Sequence, residues 1–381
     1  MPIAVVLAIV GFASAVSLRN TDPLLPLIAT DFGIAVTQAA LLATAFTLPY
    51  AVMQLVLGPI GDAVGKALLI RVCVTVLALA LLVSAVAPAY PALVAARMLA
   101  GGFAGGLIPV AMALIGDRVP FERRQLAISR LLFATLSGQL VGAASAGLLA
   151  DAAGWRGVFA LSAAITAASA VLALVYLKPS GQPRKPVSLA AAMAGYREVM
   201  RNPRSRAVYL LVMAEGLIVF GSFPFVVVLL ELHGSGGVVQ AGIVIAAFAV
   251  GGLVYTGLVG WLLRVAGQRR MMALGGAIGG ACLAAAALPV AWPVTAALFF
   301  GLGLGFFMVH NSFQTEASEL APGARASAFA LFASLYFLGQ GIGVLLVREA
   351  AVMIGLPAVM IGLGALFAGL GAIAARAIGR P

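Results

Sequence analysis

Apolar runs of about twenty residues or more recur from one end of this chain to the other, broken only by short clusters of glycine, proline and charge. A run of that length is enough to cross a bilayer as a helix. Of the 381 residues, 63% are hydrophobic and only 9% are charged, against roughly 25% charged in a soluble domain. Most of the chain therefore cannot face water. Backbone groups inside lipid must be satisfied internally, which leaves helices or a closed barrel, and these runs are far longer than the roughly ten-residue alternating segments of a barrel strand. The fold class is an all-α membrane protein.

Breaks at polar, Pro or Gly clusters give twelve expected spans: 4–28, 37–58, 67–88, 91–117, 125–150, 154–177, 206–232, 238–263, 270–289, 292–316, 324–348 and 353–375. The opening MPIAVVLAIVGF lacks a basic lead-in and outruns a signal peptide, so it is expected to be a retained first membrane helix. The net charge of +11 is distributed unevenly. Lys66 and Arg71 follow span two, Arg118, Arg123 and Arg124 follow span four, and Arg264, Arg269 and Arg270 follow span eight; Arg376 and Arg380 follow the last. The first, third and ninth connections hold no Lys or Arg. This alternation is the positive-inside pattern and not a nucleic-acid patch, and it puts both termini in the cytoplasm. Cys73 and Cys282 stand far apart within apolar runs and read as small core residues.

The longest polar stretch runs from Lys178 to Arg206, with seven basic residues and one acid, Glu198. Its first part is Pro-rich, while Ser188 to Arg201 is expected to form an amphipathic helix on the inner leaflet. It divides the spans six and six, so residues 1–177 and 206–381 are expected to be two six-helix bundles joined by a linker at 178–205. A shift of 199 residues places Gly58 on Gly257, Gly61 on Gly260, Gly102 on Gly301, Gly106 on Gly305 and Asp117 on Glu316. GQLVG at Gly138–Gly142 needs two more to meet GQGIG at Gly339–Gly343. In this register Trp261 stands where Asp62 stands in the first copy. Two parallel repeats around a central cavity are the expected architecture.

GPIGDAVGK, residues 58 to 66, resembles the loop between helices two and three of the major facilitator superfamily, with Gly58, Asp62, Gly65 and Lys66 filling the pattern. Ala63 stands where the family usually has a basic residue. ARMLAGGFAGG, residues 96 to 106, resembles the helix-four motif, with Arg97 as its membrane arginine. GQLVGAASAG, residues 138 to 147, resembles the helix-five motif of the antiporter branch through Gly138, Gly142 and Gly147, although Ala143 replaces its usual proline. GWRGVF, residues 154 to 159, resembles the start of helix six. Overall the chain is most similar to the twelve-helix drug:proton antiporters and related sugar-efflux permeases. The resemblance implies a cytoplasmic gate built from Asp62, Lys66, Asp117, Arg118, Arg130, Glu316 and Arg325, which would lock the inner side when the outer side is open.

A charge at bilayer depth costs at least about 2.5–3.5 kcal/mol on insertion scales, so embedded ionisable residues are functional candidates. Span one carries Arg19, Asn20 and Asp22. Arg19 and Asp22 are i,i+3 and can pair, either as part of a coupling site or merely neutralising each other where the span ends at Pro23. Arg97 has a similar estimated depth, so Asp22 is expected to face it; the alternative is that Arg97 ties a helix-end carbonyl. Glu215 is the other deep acid, with no evident cation in its own half. It is expected to be neutral at rest, since desolvation disfavours the charged form; the alternative is a buried acid merely hydrogen-bonded to a neighbouring helix. Asp22 and Glu215 are thus the candidate proton carriers, with Arg97 and Arg19 as partners. Tyr50, Gln54, Gln139, Asn311, Tyr336 and Gln340, with Asn20, are the candidate cavity lining. His310 is either a hydrogen-bonded core residue or a proton relay.

These features point to a proton-coupled secondary transporter exporting small organic molecules, drug-like compounds or sugars, from a bacterial-type inner membrane. It would work as a monomer, with the proton gradient and no cofactor as its energy source. A proton-driven importer of sugars or organic acids is the alternative. A transport-inactive sensor or scaffold would need longer loops to meet partners. An enzyme is excluded by the lack of a phosphate-binding loop, a metal cluster or a hydrolase serine motif, and a channel by the lack of a pore loop or charged ring.

Overall fold

The computed structural model describes residues 1–178 and 189–378. The Pro-rich part of the linker with Ser188, and Arg380, lie outside the described residues. Among the described residues every regular element is helical, as the lipid constraint requires. Among the described residues, ten stretches are long and apolar enough to cross a membrane.

The chain opens with α1 (Ile3–Arg19), a 3₁₀ turn at Asp22–Leu24, α2 (Leu25–Phe32) and α3 (Val36–Ala39). It continues with α4 (Leu41–Val64), α5 (Lys66–Ala85), α6 (Tyr90–Ala104), α7 (Leu107–Arg118) and α8 (Phe121–Tyr176). Linker helix α9 (Leu189–Arg201) follows, then α10 (Pro203–Phe220), a turn at Phe223–Phe225 and α11 (Val226–Leu232). The remaining elements are α12 (Val238–Ala285), α13 (Trp292–Glu319), a turn at Pro322–Ala324, α14 (Arg325–Ile354) and α15 (Leu356–Ala377). The first expected span is therefore broken: α1 ends at Arg19, and Pro23 and Pro26, which have no N–H to donate, restart the chain as a turn and a short helix. At 56 and 48 residues, α8 and α12 would each exceed about 70 Å if straight, far beyond the hydrocarbon core. Each is interrupted by a glycine with non-helical dihedrals, Gly154 (φ 64°, ψ 178°) and Gly267 (φ 70°, ψ 164°).

Among the described residues, six glycines have positive φ, and they form three pairs at nearly fixed separation: Gly33 with Gly234, Gly65 with Gly267, and Gly154 with Gly355, spaced 201, 202 and 201 residues. The two 3₁₀ turns at Asp22 and Phe223 repeat at 201 as well. The internal repeat therefore runs at 201–202 over most of the chain and not at the 199 read from the sequence. Arg264, not Trp261, is the counterpart of Asp62. The 199 register holds locally at Asp117 and Glu316, because the break between α6 and α7 has no equivalent in the continuous α13. Lys66 bonds Asp117, and Gln268 bonds Glu316, in equivalent positions.

Packing follows the same repeat. A Cβ at Gly138 or Gly142 of α8 would lie 2.4 or 2.5 Å from the Phe12 or Val16 carbonyl oxygen of α1. One at Gly339 or Gly343 of α14 would lie 2.0 or 2.4 Å from the Met213 or Leu217 oxygen of α10. Only glycine allows such approach, and close backbone contact is how helices associate where lipid removes the hydrophobic drive. Gly147 packs against Val239 and Gly242 of α12, and Thr44 Oγ1 of α4 donates to the Gly341 carbonyl of α14 at 3.0 Å. These two seams join the parts of the chain before and after the linker.

Alanine substitution separates the two kinds of glycine. Gly339→Ala is expected to lower stability by about 2–4 kcal/mol by forcing α14 off α10. Gly362→Ala on α15, where a Cβ meets nothing within 4 Å, is expected to be neutral or to stabilise by about 0.5–1 kcal/mol through lost chain entropy. Thermal unfolding in detergent distinguishes these signs.

Candidate functional site

A cavity of about 700 Å³ lies between α4, α7, α8, α9, α13 and α14. It runs from Tyr50 and Tyr336 at its inner end to Asp62 and Lys66 at the α4–α5 turn. Away from that turn, the two 3₁₀ turns contact each other and α11 contacts α2, closing the opposite end.

Glu215 is fully buried on α10, with Oε2 2.8 Å from Nδ1 of His310 on α13 and Oε1 unpartnered. His310 stacks on Phe306, one helical turn away, at 4.9 Å between ring centroids, and packs against Tyr336 at 4.8 Å. His310 lines the cavity and Glu215 sits behind it. The sequence had left Glu215 without a cation; its partner lies 95 residues away on a different helix.

Asp22 pairs with Arg19 at 3.5 Å, both buried. Arg19 Nη2 donates to Gln340 Oε1 at 3.0 Å, and its guanidinium lies over the rings of Phe220 (4.2 Å) and Phe223 (5.1 Å), a favourable cation–π arrangement. Phe220 and Phe223 stand 201 residues after Arg19 and Asp22, so a charged pair in one repeat meets an aromatic pair in the other. Arg97 does not contact Asp22, although its charge acts on it. Its Nη1 donates to the Ser17 carbonyl at 3.1 Å and its guanidinium covers Phe46 at 4.3 Å. Ser17 is in the last turn of α1, where carbonyls lack helical donors and the dipole attracts a cation.

Of the expected lining residues, Tyr50, Gln54 and Tyr336 face the cavity. The other four do not. Asn20 turns to α8 and donates to Ser162 Oγ at 2.8 Å, and Gln340 is drawn onto Arg19. Asn311 is rotated about 100° from His310 on the helix. Gln139 lies a turn beyond Thr135, which does line the cavity. Cys73 and Cys282 are free, and among the described residues no cluster of His, Cys, Asp and Glu could hold a metal.

At the open end Lys66 Nζ bridges Asp62 (2.9 Å) and Asp117 (2.8 Å). Arg118 donates to the Lys178 carbonyl at 3.0 Å, Arg325 lies 3.8 Å from Glu319, and Gln268 donates to Glu316 at 3.3 Å. Arg130 is exposed on α8. Apart from Arg118, which reaches Lys178 at the start of the linker, each of these bonded pairs stays on its own side of the linker. Gly58 lines the cavity and Gly65 makes the α4–α5 turn at φ 99°.

Tyr196 of α9 is a lining residue that the sequence had not singled out. Its hydroxyl donates to the Leu55 carbonyl of α4 at 2.9 Å. That carbonyl would normally accept from the residue four positions on, but Pro59 has no N–H, so the linker helix supplies the missing donor. Burial pushes the Tyr196 phenol above its usual range, which keeps it a donor. Tyr196→Phe is expected to speed amide exchange in Leu189–Arg201 about five- to tenfold, the loss of one hydrogen bond of roughly 1 kcal/mol; exchange mass spectrometry reads it directly.

Residues 7–344 match the family model described as Major Facilitator Superfamily. A stretch of 82 residues is 42% identical to the multidrug resistance protein MdtG of Serratia proteamaculans, covering 22% of this chain and 20% of that protein. Another of 173 residues is 30% identical to a probable actinorhodin transporter of Streptomyces coelicolor, covering 44% and 30%. The matched stretches thus span less than a third of either relative. The crystal structure of a point mutant of the nucleoside transporter NupG superposes with a TM-score of 0.75 over 99% of this chain and 98% of that one, at 15% identity; the likeness is one of fold.

Proposed function

The chain belongs to the major facilitator superfamily, and from that premise we propose that it is a proton-coupled transporter exporting small organic molecules by alternating access. Its ten apolar stretches, two of them divided at Gly154 and Gly267, are read as twelve crossings. They form two six-helix halves, 1–177 and 206–381, around the cavity, with residues 178–205 as the linker. The 201–202 repeat of turns, kinks and glycine contacts supports that reading. The basic connections support cytoplasmic termini and an inner membrane, and on that reading the cavity opens inward. The chain works as a monomer, and its charged turn of Asp62, Lys66 and Asp117 is free to re-pair when the inner end closes.

The observation that carries proton coupling is the Glu215–His310 pair. A carboxylate buried in an apolar interior is costly when ionised and unpaired. The His310 ring lies between the cavity and this carboxyl, so a proton can pass to Glu215 through it and the pair changes charge without exposing Glu215. Asp22 and Arg19 form a second unit, balanced while Asp22 is ionised, because an arginine does not release its proton. Asp22 can take up a proton only when Arg19 is held elsewhere, as Gln340 and the Phe220 ring can do. The export direction is supported by the stretches similar to MdtG and to the probable actinorhodin transporter.

The test is transport in proteoliposomes under an imposed pH gradient, against dyes, sugars and organic acids. Net movement opposite to the proton is expected, with at least a tenfold loss of coupling in Glu215→Gln and His310→Gln and a weaker loss in Asp22→Asn. Undiminished coupling in all three variants would overturn the reading. Movement with the proton would reverse its direction to import.

A further inference from the structure

The transport site proposed above leaves open what the cavity recognises, and its walls carry that information. We propose that it takes an uncharged, flat aromatic molecule bearing a carbonyl oxygen, and that Gln54 is the donor that reads this oxygen. The proposal rests on the cavity being the transport site.

Charge is the first restriction. Asp62 and Lys66 line the mouth but are paired with each other, and Lys66 also with Asp117. Among the described residues that line the deep part there is no Asp, Glu, Lys or Arg, and the Nδ1 of His310 is already held by Glu215. Arg19, Asp22, Arg97 and Glu215 all lie outside the lining. A ligand with net charge would lose its water there and meet no counter-ion, which is costly.

The second restriction is shape. Tyr50 and Phe337, from either side of the α4–α14 seam, approach to 4.2 Å between ring centroids. Tyr336 meets Phe337 at 5.0 Å. With His310 and Phe332 they make the deep end a wall of rings, which favours a flat aromatic partner by offset or edge contact. A sugar needs many hydrogen bonds around its edge, and this wall supplies few. The volume of about 700 Å³ is within the range of pockets that hold drug-sized molecules.

The third is a single donor. Gln54 is 2% exposed and lines the cavity, yet its Nε2 has no hydrogen-bond acceptor. It sits one helical turn from Tyr50, on the same face of α4. A buried amide donor without an acceptor is unfavourable, and a ligand carbonyl lying against Tyr50 satisfies it. Sites built around such a donor discriminate strongly against an analogue lacking the acceptor.

The full chain in nanodiscs, with no pH gradient, is titrated with three probes: 1-hydroxyanthraquinone, the carbonyl-free 1-hydroxyanthracene, and the cationic dye ethidium. The quinone is expected to bind at least tenfold tighter than either of the others. Gln54→Leu is expected to weaken the quinone about tenfold and change the carbonyl-free ring less than twofold, whereas Tyr50→Leu weakens both. Ethidium binding as tightly as the quinone, no preference between the two neutral rings, or equal loss of both in Gln54→Leu overturns the proposal. The wild-type preference decides the matter even if a variant does not fold. Because binding is measured at equilibrium without a gradient, loss of proton-driven transport with retained quinone preference counts against the coupling reading alone.

Discussion

Contacts between glycine and backbone carbonyl hold this molecule in shape, and the buried charges depend on them. Gly138 and Gly142 press α8 onto α1, and Gly339 and Gly343 press α14 onto α10. The residues they touch bracket the functional groups: Phe12 and Val16 precede Arg19 and Asp22, and Met213 and Leu217 flank Glu215. In lipid the attraction between helices comes from packing and hydrogen bonds and not from expulsion of water. Backbones brought this close leave little room for rearrangement, so a carboxyl on α10 is presented at fixed height to His310 on α13. The same closeness lets α1 stop at Arg19, because the Ser17 carbonyl left unpaired at its end is capped by Arg97 from α6.

Much of this was legible in the sequence, because lipid leaves few choices. The apolar runs gave the helices, the glycines at 58 and 65 gave the α4–α5 turn, and the periodic polar stretch gave the helix at Leu189–Arg201. Arg19 with Asp22 was legible as well, since i,i+3 spacing brings them together whatever the rest of the chain does. The partners that were not legible are the non-local ones. Nothing near Glu215 points to His310, and Asn20 and Gln340 look like cavity residues until Ser162 and Arg19 claim them. Repeat register was misread for a related reason: abundant glycine aligns well at several shifts, and only backbone conformation picks out the 201–202 spacing.

The repeat supplies a common scaffold with different chemistry in each copy. Where the first copy has Arg19 and Asp22, the second has Phe220 and Phe223; where the second has Glu215, the first has Ser14, whose carbonyl accepts from Ser17. Identical chemistry in both copies would place like charges against each other at the seam, with a desolvation cost and no partner. Aromatic rings opposite Arg19 instead cover its guanidinium and exclude water from the Asp22 pair. Asp22 and Glu215 therefore differ in their partners: a guanidinium for Asp22 and an imidazole ring for Glu215.

That difference bears on what opening the closed end requires. The bonds crossing the seams there are few: Arg19 to Gln340 and Thr44 to the Gly341 carbonyl, with the stacking of Arg19 on Phe220 and Phe223. At the other end Tyr196 holds α9 to α4 through the carbonyl that Pro59 frees. For the cavity to face the opposite side, Arg19 must leave Gln340 and the rings, and Asp22 is the acceptor it already holds. Asp22 and the seam thus share one guanidinium, while the Glu215–His310 bond lies wholly in the part of the chain after the linker.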